Sequence, residues 1–150
     1  MKLIAPHSET RIAIDHKYVV KPLLTATEAK FHSCLQTLTQ GRCRIQIKPR
    51  LADVFDHAKG DSAGFSRISQ KHVDFLICRN DDWTPMLAIE LDDDSHLRKE
   101  RQERDMFVNA LFASTGVPLL RVHVAELEQV EMLVQKLSSA WYRRWQNLEA

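Results

Sequence analysis

The sequence lacks the cysteine pattern and the long apolar runs that define several protein classes. Its three cysteines, Cys34, Cys43 and Cys78, form no CxxC pair, which argues against both a zinc ribbon and a disulfide framework. We therefore expect reduced cysteines in a cytoplasmic protein. No stretch approaches the roughly 20 apolar residues of a membrane span, and the opening segment MKLIAPHSETR has no run long enough for a signal peptide. We expect no membrane partner.

The sequence also lacks the strong net charge that would indicate a nucleic-acid partner. Its 150 residues carry a formal charge of +1, so any such binding would need a local basic patch. With 44% hydrophobic and 27% charged residues, the chain is typical of a soluble globular protein with a sizeable core. We assign residues 1–24 to an N-terminal arm, in which Tyr18–Val20 is either irregular or a short strand. Residues 25–150 are predicted to form one domain.

Periodicity predicts the element order α-β-β-β-α-β-α, typical of an α/β sandwich around a mixed sheet. A first helix begins at Thr25, where Thr25 and Glu28 have the spacing of a capping box, and it ends near Gly41. Strands are predicted at 44–49, 72–79, 85–92 and 117–124, and a second helix at 98–115. The polar residues 56–70 are predicted to form a long surface loop.

The last predicted element is a long amphipathic helix with an apolar stripe. The residues expected to face the core are Leu127, Val130, Val134, Leu137 and Trp141. Aromatic side chains follow near the chain end, at Trp141, Tyr142 and Trp145. Such side chains are commonly packed in a core, and they also fit a homodimer contact.

The segment AIELDDDSH, residues 88–96, places four carboxylates at the end of an apolar strand. They are Glu90, Asp92, Asp93 and Asp94, and His96 follows two residues later. Charge repulsion and desolvation make such a cluster costly in a folded domain. Either the cluster is an exposed acidic loop, or a positive group lies beside it.

The two strands before this cluster are predicted to form a hairpin. If the loop spans residues 80–84, Asp74 lies directly opposite Glu90, and Asp92 is on the same face. Like charges opposite each other destabilise a sheet, so the three carboxylates need a cation or a basic cluster between them. Hard oxygen ligands suit Mg²⁺ or Mn²⁺. A slip of one residue would instead move Asp74 to the other face.

Several of these residues also have an ordinary structural interpretation. Asp93 and Asp94 are typical of turns and helix caps, the capping box accounts for Glu28, and His96 fits a loop without any chemical role. Asp74 differs, because a carboxylate without a partner is costly in an apolar strand.

The basic run HLRKERQER, residues 96–104, would ordinarily be a solvated helix face. Its position directly after the acidic cluster suits a phosphate backbone held beside a metal. Arg101 and Arg104 in this run, and Lys71 just before the first strand of the hairpin, are the candidates for contact with phosphate groups.

The pattern formed by Asp74 and Glu90-Leu91-Asp92 resembles the core of the PD-(D/E)XK nuclease superfamily, which has the restriction-endonuclease-like fold. That core has a strand with Asp, a hairpin, and a strand with Glu-x-basic. Here Asp92 takes the place of the superfamily's lysine. The branch of very short patch repair endonucleases shares this departure, and the segments VDFLIC and LAIELDDDSH are similar to it.

Residues 22–123 also resemble the family catalogued as domain of unknown function 2726. The similar segments, in chain order, are LTATEAKF, RISQKHVDFLI, AIELDDDSH and ERDMFVNALFASTGVPLLRV. The superfamily resemblance implies an α/β/α sandwich and Mg²⁺-dependent cleavage of phosphodiester bonds in DNA. The superfamily also contains inactive members.

The resemblance implies specific roles for the candidate residues. Asp74 and Glu90 would hold Mg²⁺ or Mn²⁺, and Asp92 would be a further ligand or would orient the attacking water. His96 would act as general acid or base, and Glu28 would reach the site from the first helix.

Two other functions stay open on the sequence. The missing lysine favours a nuclease-fold module that binds nucleic acid or a protein and cleaves nothing. The aromatic side chains of the C-terminal helix favour an adaptor protein with an interface there.

Overall fold

The computed structural model describes residues 13–93 and 99–150, with the backbone only for residues 99–101. The helices are α1 (Ala26–Thr39), α2 (Leu51–Val54), α3 (Ser62–Ser69), α4 (Lys99–Thr115) and α5 (Val130–Glu149). The strands are β1 (Cys43–Ile47), β2 (Phe75–Arg79), β3 (Pro85–Asp92) and β4 (Leu119–His123), and a short 3-10 helix spans Val124–Glu128. In the described part of the chain, no helix is long and apolar enough to cross a membrane.

The four strands form one mixed sheet in the order β1-β2-β3-β4. Strands β1, β2 and β3 pair antiparallel, whereas β4 pairs parallel to β3. Helices α1 and α5 pack on one face, around Phe31, Leu35 and Leu133. Helices α2, α3 and α4 pack on the other, around Val108 and Phe112. The predicted α/β sandwich with a mixed sheet is therefore confirmed, with α2 and α3 added between β1 and β2.

The register of the β2–β3 hairpin positions the two central carboxylates. Phe75 pairs with Ile89, so Asp74, one residue before β2, lies level with Glu90 as predicted. Because side chains alternate along a strand, both carboxylates are on the sheet face that α4 covers. The same alternation places Asp92 on that face.

The tip of this hairpin differs from the prediction. Cys78, rather than Arg79, pairs with Pro85, because a bulge interrupts the ladder between Ile77 and Cys78. Arg79 donates its main-chain N–H to the carbonyl of Thr84 at 2.9 Å. The irregularity is confined to the end of the hairpin that is remote from the carboxylates, so it leaves their alignment intact.

The predicted surface loop at 56–70 is wrong, because most of it is helix α3. The carboxylate of Asp61 caps this helix by accepting the N–H of Gly64 at 2.8 Å. Ile68 is its one buried residue. A short polar helix that buries a single side chain has almost no apolar periodicity, which explains why its sequence is typical of a loop.

The apolar stripe predicted for the C-terminal helix is partly wrong. Val130 and Val134 are exposed to 47% and 37%, whereas Leu133 and Ala140 are the buried residues of α5. Leu127 lies in the 3-10 helix and not in α5. A stripe that starts at Leu127 therefore has the wrong phase, because a 3-10 turn has three residues rather than 3.6.

The aromatic side chains near the end of α5 have different surroundings. Trp141 packs against the core between α1 and the sheet, while Tyr142 is 61% exposed. Trp145 is partly exposed and lies under the guanidinium of Arg79, which is 5.8 Å from the ring centroid. A homodimer contact through this helix stays a prediction.

The described part of the N-terminal arm, residues 13–24, forms no helix or strand. Tyr18, Val19 and Val20 are all largely exposed, so a strand at this point is wrong. Helix α1 begins as predicted, since Thr25 and Glu28 form both hydrogen bonds of the capping box. All three cysteines are free, and Cys78 is buried.

Candidate active site

A polar cavity of about 170 Å³ lies where β2 begins and β3 ends. Its walls come from the segment before β2, from the end of β3, from α4 and from β4. The lining residues are His72, Asp74, Glu90, Leu91, Asp92, Asp93, Arg104, Asp105 and Arg121. The structure thus brings together three predicted carboxylates, Asp74, Glu90 and Asp92, and one predicted cation, Arg104.

Asp74 and Glu90 form a hydrogen-bonded carboxyl pair in the wall of this cavity. The amide of Leu91 donates to Oδ2 of Asp74 at 2.8 Å, which fixes that carboxylate against β3. Burial, together with the charge of Asp74 and a hydrogen bond between the two side chains, raises the pKa of Glu90 to about 8. Arg104 and Arg121 oppose this shift. At neutral pH, the raised pKa therefore favours the protonated form of Glu90.

Arg121 joins the carboxylates of the cavity to helix α4. Its guanidinium lies 3.4 Å from Oδ1 of Asp92 and 3.4 Å from Oδ1 of Asp105. It also donates to Oδ1 of Asn109 at 3.2 and 3.3 Å. In the parallel pairing of β3 with β4, Arg121 is the partner of Glu90. A cation thus lies beside the acidic cluster, as electrostatics requires.

Two of the three predicted phosphate contacts have described side chains, and of these Arg104 lines the cavity and Lys71 does not. Arg104 is exposed and donates to the carbonyl of His72 at 3.3 Å. Lys71 is outside the cavity wall, donates to the carbonyl of Arg67 at 2.5 Å, and lies 5.2 Å from the ring centroid of Phe107. Lys71 and Arg104 remain predicted DNA contacts.

Glu28 does not line the cavity. Its carboxylate pairs with Lys48 at 3.1 Å and caps α1 through the amide of Thr25 at 2.8 Å. Burial raises the pKa of Glu28, but these two contacts outweigh burial and leave the pKa below its usual value. Lys48 in turn donates its main-chain N–H to the carbonyl of Asp74 at 2.9 Å. Glu28 is therefore connected to the site through Lys48.

Two candidate side chains lie outside the described residues. His96 belongs to the segment 94–98, and the side chain of Arg101 is likewise outside, although its backbone is part of α4. Within the described ranges, no group of three or more His, Cys, Asp or Glu side chains is arranged to hold a metal ion.

Sequence reasoning missed Arg121 and Asp105. Arg121 lies in the segment LLRVH. The alternation of apolar and polar residues there predicts a strand, but it does not predict which strand pairs with it. Only the parallel pairing with β3 brings it beside Glu90. Asp105 belongs to a run of charged residues on α4. Nothing in the sequence distinguishes it from residues of a solvent-exposed helix face.

Comparisons with known proteins identify a family without assigning a function. Neither the curated proteins nor the solved structures contain a match to this chain. The family described as "Protein of unknown function (DUF2726)" matches residues 20–140, a range that includes every element from α1 to β4 and the whole cavity wall. The chain belongs to the DUF2726 family.

Proposed function

We propose that this protein is a metal-dependent DNA endonuclease or nickase that hydrolyses phosphodiester bonds at the Asp74–Glu90 cavity. The observation that carries the proposal is the pair of carboxyl groups held together in a partly buried place. Two carboxyl groups side by side in a partly buried place are an unfavourable arrangement for structure alone, and such pairs are typical of functional sites.

The donor chemistry of the cavity fits a hard divalent cation. Asp74, Glu90 and Asp92 offer carboxylate oxygens on one face of the sheet, and Mg²⁺ and Mn²⁺ favour such ligands. Bound there, the ion would supply Lewis-acid activation of water and neutralise charge on the phosphate. Glu90 would give up its proton when the ion binds, because only a carboxylate is a good ligand.

The chain's own residues would position DNA and water around this pair. Asp74 is fixed by the amide of Leu91, so its carboxylate has little freedom to turn away. Asp92 would be a further ligand or orient the attacking water. Arg104, with Arg101 and Lys71, would contact the phosphate backbone on either side.

His96 lies two residues after the acidic cluster in sequence and is the proposed general acid or base, because its reference pKa is near neutrality. Glu28 would act on the site through Lys48 rather than by direct contact. Three unpaired cysteines suit a reducing compartment, and we place the protein in the cytoplasm.

A relation to the PD-(D/E)XK superfamily is part of the proposal. The supporting features are the hairpin with Asp74 level with Glu90, the mixed sheet and the helices on both faces. The E-x-D run with Asp92 and the following His96 is similar to the branch of very short patch repair endonucleases.

A second candidate is a module of this fold that binds nucleic acid or a protein and cleaves nothing. The observation that favours it is Asp92, which stands where the superfamily has a lysine and lies against Arg121 instead.

The test is a plasmid assay with purified protein. Supercoiled DNA is incubated with Mg²⁺, with Mn²⁺ and with EDTA, and the nicked and linear forms are separated on a gel. Nicking that needs either ion and stops in EDTA supports the nuclease. DNA that is bound in a gel-shift assay but never cut supports the binding module.

A further inference from the structure

Arg121 lies among the carboxylates that line the cavity. It is the β4 partner of Glu90, and its side chain lines the cavity with 26% of its surface exposed. Arg104, the other arginine of the cavity wall, is exposed at the mouth and donates to a main-chain carbonyl. A group that enters the cavity therefore meets Arg121 beside Glu90 and Asp92.

The guanidinium of Arg121 is loosely held. Its distances to oxygen atoms of Asp92, Asp105 and Asn109 are 3.2 to 3.4 Å. Charge-assisted bonds to a carboxylate are normally about 2.7–2.9 Å long. The guanidinium is thus shared among three acceptors and is at the ideal distance from none of them.

The backbone of Arg121, in contrast, is firmly anchored. Nζ of Lys136 donates to the carbonyl of Arg121 at 2.7 Å, and Glu126 holds that ammonium in place at 3.1 Å. Strand pairing with β3 fixes the main chain on the other side. A fixed Cα with a loosely held guanidinium allows the head group to exchange partners without any movement of the strand.

Phosphodiester cleavage is favoured by a cationic side chain beside the phosphate. Negative charge builds up on the phosphate oxygens in the transition state, and preorganised donors that meet this charge are a major source of catalysis. The position two residues after Glu90 offers no such cation, since Asp92 occupies it. Arginine is well suited to the task because its planar fork binds two phosphate oxygens at once.

We propose that Arg121 binds the scissile phosphate and stabilises the charge that develops there. On substrate entry its guanidinium leaves Asp92 and Asp105 and donates to two non-bridging oxygens. Before substrate enters, Asp92 and Asp105 hold the guanidinium of Arg121 in the cavity wall. This inference rests on the proposed function. The run Glu90-Leu91-Asp92 on β3 has no cationic side chain, and Arg121 on the neighbouring strand β4 would supply one.

The experiment compares single-turnover cleavage of plasmid DNA in Mn²⁺ by the wild type, R121K, R121A and the control R144A. Arg144 also donates to carbonyl oxygens at 3.3 Å, those of Pro85 and Gly116, but it lies outside the cavity. We expect R121A to cleave at least about 100-fold more slowly, as for a lost transition-state donor, while its affinity for DNA changes little. The cleavage rate of R121K should fall less than that of R121A, and R144A should keep the wild-type rate.

Chemical rescue separates a direct role from a structural one. Guanidinium ion at a concentration below denaturation should restore part of the rate of R121A and should not restore E90Q. An R121A protein that cleaves as fast as the wild type overturns the role of Arg121 and leaves the nuclease proposal standing. If R121A is unfolded at the assay temperature, the cleavage rate of R121K is the test. A wild-type rate in R121K then overturns the role of Arg121. A wild type that cleaves nothing overturns both proposals.

Discussion

Oδ2 of Asp74 accepts a hydrogen bond of 2.8 Å from the main-chain amide of Leu91, the residue directly after Glu90. This bond ties the beginning of β2 to the end of β3 and holds the two carboxyl groups side by side. Since burial already disfavours the charged form of Glu90, the proximity of Asp74 makes the pair dependent on a proton or another cation.

Two substitutions of Asp74 separate its charge from its hydrogen bond. In EDTA at a pH above 8, Asp74→Asn should melt at the same temperature as the wild type or higher, because it keeps the acceptor for Leu91 and removes one of two like charges. Asp74→Ala leaves that amide without its acceptor and should lose about 1–3 kcal/mol of stability. Thermal unfolding by circular dichroism measures both. A clearly lower melting temperature for Asp74→Asn than for the wild type would show that a cation of the protein stabilises the charge of Asp74.

The stability of the metal-free protein should fall as pH rises from about 5 to 8. The pKa of Glu90 is raised to about 8 in the folded state, so folding is favoured by a proton that the unfolded chain has already released. The contribution of Glu90 is complete below its ordinary pKa of 4.5 and is lost as pH passes through 8. The slope is at most about 1.4 kcal/mol per pH unit.

Urea unfolding in EDTA at several pH values measures this slope. Glu90→Gln should remove most of the pH dependence, whereas the control Glu128→Gln, on an exposed surface ion pair, should leave it unchanged. Equal slopes in the wild type and Glu90→Gln would place the pH-sensitive group elsewhere.

Metal binding should release a proton. A carboxyl group must ionise to become a ligand, so Mg²⁺ or Mn²⁺ has to displace the proton that Glu90 holds at neutral pH. Calorimetric titration in buffers of different ionisation enthalpy should give close to one proton per ion at neutral pH, and fewer above pH 8. Glu90→Gln should bind the ion weakly and release no proton. Proton release that is independent of Glu90 would mean that the ion binds at another site.

The sequence predicted the central pair because the signals for it are local. Strand β3 was predicted with its observed bounds, and the short connection to β2 set the register that aligns Asp74 with Glu90. The capping box at Thr25 was equally visible, since its two residues are three positions apart.

What the sequence could not predict depends on packing between distant segments. Arg121 reaches the cavity through a parallel pairing, and a single strand gives no sign of its neighbour. Helix α3 buries only Ile68, so hydrophobic periodicity is too weak to indicate it. On α5, the position of the sheet selects Leu133 and Ala140 for burial, although Val130 and Val134 are equally apolar in sequence.

Arg104 should contribute to DNA affinity through charge alone. Arg104→Ala should weaken binding and reduce the slope of log K against log salt by about 1, since one fewer counterion is released. Fluorescence anisotropy with a labelled duplex in EDTA measures affinity without cleavage. The control Arg144→Ala removes the same charge from α5, away from the cavity, and should keep the wild-type slope. Equal slopes in all three proteins would remove Arg104 from the DNA-binding surface.

The central claim, that Asp74 and Glu90 cleave DNA with a divalent ion, is tested most directly by cleavage with matched variants. Wild type, Asp74→Asn, Glu90→Gln and the surface control Glu128→Gln are purified identically and incubated with supercoiled plasmid and Mn²⁺. We predict that wild type and Glu128→Gln nick the plasmid at the same rate, and that both cavity variants are folded but lose the activity by at least about 100-fold. Nicking that is equal in all four proteins would contradict the claim, because the activity would then belong to another site or to a contaminant.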